Sequence, residues 1–207
     1  MSTQFIQFKI SLNDVQPKIW RRIQVPADYT FWDLHCAIQN TMGWANCHLH
    51  GYYMTDKKYG RHRSIRIQMP HPEWTEKEDL DESKELLVNW FPKRLKQCIY
   101  TYDFGDTWDH TVLFEKIVTL QTKRKIPLCL TGKNACPPED CGGSGGYMRL
   151  LSVINNPKHT EDQELRDWMG LDKDESYDPK IFDSTTIGFD NPKKALKEYL
   201  RDQKMYG

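Results

Sequence analysis

The chain has 207 residues, and its 29 lysine and arginine residues balance 29 aspartate and glutamate residues, so the formal net charge is zero. A chain of this length buries roughly 70% of its unfolded surface, and its mixture of apolar and charged residues is that of a folded protein. A balanced charge provides no overall field to attract phosphates or anionic lipid, so we expect neither nucleic acid nor a membrane as partner. The sequence leaves open whether the partner is a protein or a small molecule.

The first residues are polar and lead directly into a strand pattern, without the charged and then apolar segments of a secretory signal. No apolar run approaches the ~18 residues that a membrane-spanning helix needs. We therefore expect a cytoplasmic protein. Its six cysteines should be reduced thiols rather than a disulfide framework.

The N-terminal third predicts a hairpin followed by a helix. Apolar residues alternate with polar ones over residues 6–12 and again over residues 19–25, which is the pattern of two half-buried antiparallel strands. Thr30 and Asp33 then form a capping-box pattern in front of apolar residues at helical spacing. Gly43 is expected to end this helix.

The middle of the chain predicts more strands. Short strands are expected at residues 48–54 and 64–69, and a second hairpin at residues 98–104 and 110–118. Between them, the acidic segment at about 70–85 predicts an exposed loop. We place this loop inside one domain rather than between two, because the strand pattern resumes after it.

The last third is expected to be mainly helical. A loop rich in proline, cysteine and glycine is predicted at residues 127–146, followed by helices at residues 147–154, 161–169 and 192–201. The predicted fold class is α+β, with antiparallel β-hairpins forming a sheet packed against several helices. The helices are concentrated in the C-terminal part, and residues 1–207 form a single domain.

The first group with chemical potential is His48 and His50. Residues two apart in a strand face the same side of a sheet, so both imidazoles are candidates for binding one ligand, such as a metal ion. The favoured interpretation is a pair of surface or hydrogen-bonded histidines. No third metal ligand follows from the spacing.

The second group is the segment from Asp103 to His110, which also contains Asp106 and Asp109. These side chains are suited to holding a hard cation or to acid–base chemistry. The alternative is a hairpin turn, because aspartate and glycine are the residues that such turns favour. The Asp-Phe-Gly string within it does not indicate a protein kinase, since the other kinase motifs are missing from the sequence.

The third group consists of Cys129, Cys136 and Cys141, whose spacing lacks the close cysteine pairs of a structural zinc site. Buried thiols beside a proline turn are the favoured interpretation, while Cys136 and Cys141 remain candidate metal ligands. The glycine-rich run at residues 142–146 precedes a predicted helix, so its amides are candidates for holding a phosphate. No cofactor is firmly implied.

Three sets of residues, in this order along the chain, resemble the plasmid pRiA4b ORF-3-like family. The first set comprises Trp20, Arg21, Arg22, Ile23, Val25, Pro26, Leu34, His35, Ile38, Gln39, Met42, Gly43, Trp44, His48, Leu49 and His50. The second comprises Tyr102, Asp103, Phe104, Gly105, Asp106, Trp108 and His110. The third comprises Gly132, Ala135, Cys136, Pro137, Pro138, Glu139, Asp140, Cys141, Gly142, Gly143, Gly146 and Tyr147.

The resemblance extends from about residue 4 to the C-terminal helix and implies an α+β fold in one domain. It implies little about activity, because the family is functionally uncharacterised, and its name associates it with plasmids or mobile elements. Some members are labelled transposon resolvases. The early serines Ser2 and Ser11 lack the neighbouring arginines of a resolvase nucleophile, so we do not adopt that label.

The favoured hypothesis is a binding or interaction module with a polar groove built from the three motif loops. Its expected rim residues are His48, His50, Asp103, Asp106, His110, Glu139 and Asp140. Its expected apolar anchors are Trp44 and Trp108. The alternative is a metal-assisted hydrolase that acts on a phosphate ester or related substrate and uses the same residues as ligands and base. Whether the protein is an enzyme stays open at this point.

Overall fold

The computed structural model describes residues 2–56, 63–71, 75–123, 125–154, 156, 158–172 and 175–206. In these ranges, eight strands form one sheet in the order β5-β4-β3-β6-β7-β1-β2-β8. The strands are β1 (Thr3–Leu12), β2 (Trp20–Pro26), β3 (His50–Asp56), β4 (Arg63–Gln68), β5 (Leu80–Asp81), β6 (Gln97–Tyr102), β7 (Trp108–Leu120) and β8 (Leu128–Lys133). Neighbouring strands are antiparallel except β4 and β5, which are parallel.

Five helices accompany the sheet within the described ranges, and three of them follow the last strand. They are α1 (Phe31–Met42), α2 (Leu87–Trp90), α3 (Gly143–Val153), α4 (Asp162–Met169) and α5 (Pro192–Tyr206). The predicted α+β class, with its helices concentrated in the C-terminal part, is therefore confirmed. The prediction of a single domain stays a prediction.

Local signals located the first three elements correctly. β1 and β2 form the predicted antiparallel hairpin, and Ile6, Phe8 and Ile10 are fully buried on its core side. At the start of α1, the Asp33 amide donates to the Thr30 hydroxyl, and the Asp33 carboxylate accepts from the Thr30 amide, which completes the capping box. Gly43 ends the helix in the left-handed conformation, with φ of 91°.

Several strands begin or end one to three residues from the predicted positions, and β8 was not predicted. β3 begins at His50, two residues later than expected, so His48 lies in the preceding loop. β8 lies inside the segment that we expected to be a loop at residues 127–146. It is an edge strand that pairs with β2 on one side, and several of its side chains are exposed, so it lacks the alternation of a half-buried strand.

The acidic segment also contains structure. Leu80–Asp81 forms β5, and the Glu82 amide donates to the Gln68 carbonyl at the end of β4. These main-chain bonds turn the Glu82 side chain into the interior, where it is fully buried. Residues 76–78 are exposed, as expected, and residues 72–74 lie outside the described ranges.

Among the described residues, no helix combines the length and the apolar character that crossing a lipid bilayer requires. The cytoplasmic location stays a prediction.

Candidate functional site

Residues 44–49, which we call the His48 loop, connect α1 to β3 and pack on two other motif segments. At the start of the loop, Trp44 is buried. Its indole N–H donates to the Pro137 carbonyl at 3.0 Å, and its ring stacks on Tyr102 with centroids 5.0 Å apart. Further along, the Leu49 carbonyl accepts from the Asp103 amide at 2.8 Å. The His48 loop is therefore attached both to the turn after β6 and to the segment before α3.

Glu139 fastens the His48 loop to the segment before α3. Its Oε1 atom accepts from the Ala45 amide at 3.1 Å and from the Tyr102 hydroxyl at 2.7 Å. Its Oε2 atom accepts from the Cys47 thiol at 3.3 Å, and the Cys47 amide donates to the Tyr102 hydroxyl. Both oxygens of this carboxylate thus have partners within the chain, so Glu139 holds the His48 loop against the segment before α3.

His48 is the point at which three separate segments meet. Its Nδ1 atom lies 3.8 Å from Oδ2 of Asp103, in the turn between β6 and β7. Its Nε2 atom lies 3.1 Å from Oδ1 of Asp140, in the segment before α3. Asp103 and Asp140 both adopt left-handed backbone conformations, with φ of 54° and 56°. Aspartate tolerates this conformation better than most residues, which explains the residue type at both turns.

Asp106 lies in the same turn as Asp103 but has a different partner. Its Oδ2 atom accepts from the Gly142 amide at 3.1 Å, at the start of α3. Gly143 has φ of 66°, and a side chain there would collide with the Asp106 carbonyl. The amide at the start of the glycine-rich run, a candidate for holding a phosphate, therefore donates to a carboxylate of the chain itself.

His48 and His50 do not lie side by side on one face of a strand, which their spacing had suggested. Because β3 begins at His50, the two-residue rule for strands does not apply to His48. The His50 ring is buried, its Nε2 atom lies 2.8 Å from Oε1 of Glu82, and it stacks face to face on His35 with centroids 3.4 Å apart. The nitrogens of His35 contact the Tyr100 hydroxyl at 2.7 Å and Oδ1 of Asn46 at 2.6 Å.

Burial determines the protonation states of His50, His35 and Glu82. It lowers the pKa of His50 to about 3, although a hydrogen bond with the His48 backbone opposes the shift. It also lowers the pKa of His35 well below its usual value. Burial raises the pKa of the Glu82 carboxyl well above its usual range, and the nearby Asp81 carboxylate adds to the effect. Both imidazoles are therefore neutral, and we assign the shared proton to Glu82, which donates it to His50.

Trp108 and His110, which we expected in the groove, lie inside the protein on β7. The His110 ring donates from Nδ1 to the Trp108 carbonyl at 2.9 Å and meets Trp44 edge to face. Burial lowers the pKa of His110 to about 4. The segment after Thr107 is strand rather than loop, and its alternation directs these two side chains inward. The ring centroids of Trp44 and Trp108 lie 5.9 Å apart, so Trp44 anchors the start of the His48 loop in the interior.

A cavity of about 190 Å³ opens beside the His48 loop. Its wall combines polar side chains with the exposed apolar residues Leu49 and Phe104, each about 40% exposed. The cavity is lined by Asn46, Cys47, His48, Leu49, His50, Gln68, Met69, His71, Phe104, Tyr199 and Gln203. His50 forms part of this wall, whereas His48 belongs both to the cavity and to the cluster with the two aspartates.

Two overlapping groups of described residues have metal-binding atoms within 4.8 Å of one another: Cys47, His48 and Glu139, and His48, Asp103 and Asp140. The other two candidate ligands, Cys136 and Cys141, belong to neither group. Burial raises the pKa of both thiols, which disfavours the thiolate form that binds metals. All six cysteines lie in the described ranges, and each is a free thiol.

Several side chains of the site were not among the predicted site residues. Cys47 is next to His48, and Tyr102 immediately precedes Asp103, so proximity in sequence was the available signal for these two. Glu82, His35 and Asn46 come from three different parts of the chain. Asn46 is part of the His48 loop, whereas only tertiary contacts bring Glu82 and His35 to His50, and His35 to Asn46.

The fold and the site together define an α+β protein with a histidine–carboxylate cluster at the mouth of a small cavity. The chain belongs to the family described as plasmid pRiA4b ORF-3-like protein, which it matches over residues 4–186. It is 30% identical over 198 residues to the uncharacterized protein y4hQ of Sinorhizobium fredii (strain NBRC 101917 / NGR234), covering 96% of this chain and 93% of that one.

Its fold is also similar to a crystal structure, that of the protein of unknown function MM3350 from Methanosarcina mazei Go1. The TM-score is 0.79 and the sequence identity is 37%. The similarity covers 90% of this chain and 99% of the other.

Proposed function

We propose that this protein is a binding module whose ligand occupies the cavity beside the His48 loop. The observation that carries the proposal is the position of His48, between Asp103 and Asp140 and on the wall of that cavity. A few converging polar groups in a concave and otherwise largely apolar wall are the usual composition of a ligand site.

The dimensions of the cavity favour a small ligand. Its volume of about 190 Å³ is below the ~300–1,000 Å³ that is common for sites of drug-sized molecules. Its polar lining, including His48, Gln68 and Gln203, offers hydrogen bonds, while Leu49 and Phe104 offer apolar contact. We therefore favour a small polar molecule over an extended protein segment.

The contacts around the His48 loop support a preorganised site. Glu139 holds the outer side of the loop through Ala45 and Cys47. On the inner side, Asn46 accepts from the buried His35 ring. A loop that is held on both sides loses less conformational entropy when a ligand binds, which raises affinity.

The test is a titration with four simple probes, followed by two-dimensional NMR of the isotopically labelled full chain. The probes are acetate, inorganic phosphate, methylammonium and N-acetylglycinamide. At least one should produce saturable shifts in the His48 loop, Phe104 and Tyr199. The variant His48→Ala should weaken that response, whereas His159→Asn, a histidine outside the cavity, should not. Saturable shifts confined to other residues, or none with any probe, would contradict the proposal.

The alternative function, metal-assisted hydrolysis of a phosphate ester, stays a prediction. It requires turnover in addition to binding, so a phosphatase assay with p-nitrophenyl phosphate and added Mg²⁺, Mn²⁺ or Zn²⁺ separates the two functions. The expectation that nucleic acid is not a partner also stays a prediction. It is checked by fluorescence anisotropy with a labelled duplex at low salt.

A further inference from the structure

We infer that one ring nitrogen of His48, together with one carboxylate oxygen each from Asp103 and Asp140, binds a divalent first-row transition-metal ion. This inference rests on the proposed function, because it assigns the chemical nature of one occupant of the same site. The three ligand atoms come from three separate segments of the chain, and each lies within 4.8 Å of the others.

The three ligand atoms would fit around one ion after a small movement of their side chains toward one another. Nitrogen and oxygen ligands lie about 2.0–2.2 Å from such an ion, so adjacent ligands are about 3 Å apart and opposite ligands about 4.3 Å apart. His48 Nε2 and Asp140 Oδ1 are 3.1 Å apart, which already matches adjacent ligands. Asp103 Oδ2 lies 3.8 Å from the other ring nitrogen, Nδ1. One ligand atom from each of the three residues still lies within 4.8 Å of the other two, so a rotation of the His48 or Asp103 side chain would bring both carboxylates to the same nitrogen.

The orientation of His48 gives a separate indication. Its Nε2 atom is shielded from solvent, and among the described residues it has no hydrogen-bond partner, although Asp140 Oδ1 is only 3.1 Å away. The oxygen is close but not aligned for a hydrogen bond. Adjacent ligands of one ion have this relationship, because the nitrogen lone pair points at the ion and not at the neighbouring oxygen.

The charges of the cluster favour a cation. Within the described ranges, the ion pairs of Asp103 and Asp140 have one cationic partner, His48, and it is charged only when protonated. With a neutral imidazole, two negative carboxylates face the same small volume. A divalent ion would neutralise both carboxylates and use the imidazole in the neutral form that binds metals.

The second possible ligand set, Cys47, His48 and Glu139, is less suitable. Both Glu139 oxygens already accept hydrogen bonds, and they hold the His48 loop in place. Burial and the adjacent Glu139 carboxylate raise the pKa of the Cys47 thiol, which opposes formation of a thiolate. In contrast, Asp103 Oδ2 faces His48 while its Oδ1 accepts from the Gly105 amide.

The donor atoms define the class of ion. One imidazole nitrogen and two carboxylate oxygens suit Zn²⁺ or Mn²⁺ better than Ca²⁺, which prefers six to eight oxygen ligands. Three protein ligands also leave coordination positions open. Because His48 lines the cavity, a small ligand bound there would be able to complete the coordination shell.

The test is isothermal titration calorimetry of Zn²⁺ into the EDTA-treated and dialysed full chain. We expect about one ion per chain, and His48→Ala, Asp103→Asn and Asp140→Asn should each weaken binding by at least about tenfold. Asp106→Asn is the matched control, since it makes the same change in the same turn outside the ligand set. Asp140 is largely exposed, so its variant should keep the fold, which a thermal melt by circular dichroism verifies.

Binding of Co²⁺ in place of Zn²⁺ then identifies the ligands. The expected absorption spectrum has no near-ultraviolet thiolate-to-metal charge-transfer band, because Cys47 is not a ligand. A thiolate band, the absence of saturable Zn²⁺ binding, or equal binding by Asp140→Asn and the wild type would each overturn the inference. Probe-induced NMR shifts in the EDTA-treated protein do not require the ion. They would persist if only the metal inference fails and disappear if the proposed function fails.

Discussion

The imidazole rings of His35 and His50 lie parallel within 1°, with their centroids 3.4 Å apart, inside the protein. Two charged imidazoles would repel each other strongly at this distance, so the arrangement requires at least one neutral ring. His50 is paired with Glu82, and the stacked rings connect the sheet to Asn46 in the His48 loop. This internal contact therefore helps to fix the position of the candidate site.

Because Glu82 is protonated in the folded state, we expect the protein to lose stability at high pH. The pKa of this carboxyl is raised in the folded state, so its contribution is fully present below about pH 4.5, the value for an unfolded chain. The contribution declines as the pH rises toward the folded-state pKa. Glu82→Gln should remove this decline. Urea unfolding of both proteins at pH 5, 7 and 9 measures it, and parallel pH profiles would contradict the assignment.

Asp81 is a matched control for Glu82, because its pKa is shifted in the opposite direction. Burial raises its pKa, but hydrogen bonds from Lys84 and Ser83 outweigh this and lower it. Its contribution to stability is therefore present above about pH 4 and lost as the pH falls. Asp81→Asn should reduce stability most at neutral pH, and the difference from the wild type should shrink toward pH 3.

His110 predicts a loss of stability on mild acidification. Its folded-state pKa of about 4 lies below the value of about 6.5 for an unfolded chain. Its contribution is present above about pH 6.5 and is lost as the pH falls toward 4, by an amount on the order of 3 kcal/mol. His110→Asn should flatten the urea-unfolding profile between pH 7 and 4. An unchanged slope in the variant would show that His110 is not the cause.

The two hydrogen bonds of the Tyr102 hydroxyl should hold the His48 loop in place. It donates to Glu139 and accepts from the Cys47 amide, so Tyr102→Phe leaves both groups short of a partner. We expect a loss of about 1–3 kcal/mol and faster hydrogen exchange of the Cys47 amide.

The matched variant for Tyr102 is Tyr52→Phe, which removes a buried hydroxyl that donates to the Phe31 carbonyl. It should reduce stability without accelerating exchange at Cys47. Equal exchange in the two variants would mean that the Tyr102 hydroxyl does not hold the loop.

The glycines at the start of α3 differ sharply in what a side chain would meet. A Cβ atom at Gly146 would collide with the Cys141 carbonyl, whereas one at Gly145 has open space around it. Gly146→Ala should therefore destabilise the protein by about 1–3 kcal/mol through overpacking. Gly145→Ala should be neutral or stabilising by up to about 1 kcal/mol, because alanine favours a helix. Thermal unfolding of the two variants measures this difference. Equal melting temperatures would contradict the close approach of Gly146 to Cys141.

Sequence patterns predicted those parts of the structure that depend on near neighbours. The alternation in β1 and β2 and the capping box at Thr30 are local signals, and both elements formed as expected. β8 was missed because its half-exposed edge position weakens the alternation. The burial of Glu82 was missed because an acidic composition predicts exposure, and its partner His50 is 32 residues away.

The candidate site was predictable as a set of segments but not as a set of contacts. The segments around His48, Asp103 and Asp140 stood out in the sequence because they combine histidine, carboxylate and cysteine residues. The different environments of His48 and His50 followed from the exact start of β3, and boundaries are the least certain part of a sequence-based prediction. Asp106 and Glu139 have structural partners that only the folded chain provides.

The central claim is that three segments distant in sequence meet at His48. NMR of the His48 ring resonances in the wild type, Asp103→Asn, Asp140→Asn and Asp106→Asn, at one pH and without added metal, tests it most directly. Asp103→Asn and Asp140→Asn should each shift the His48 signals, because each removes a charge within 4 Å of a ring nitrogen. Asp106→Asn should cause a much smaller shift. His48 signals that are the same in all four proteins would contradict the claim.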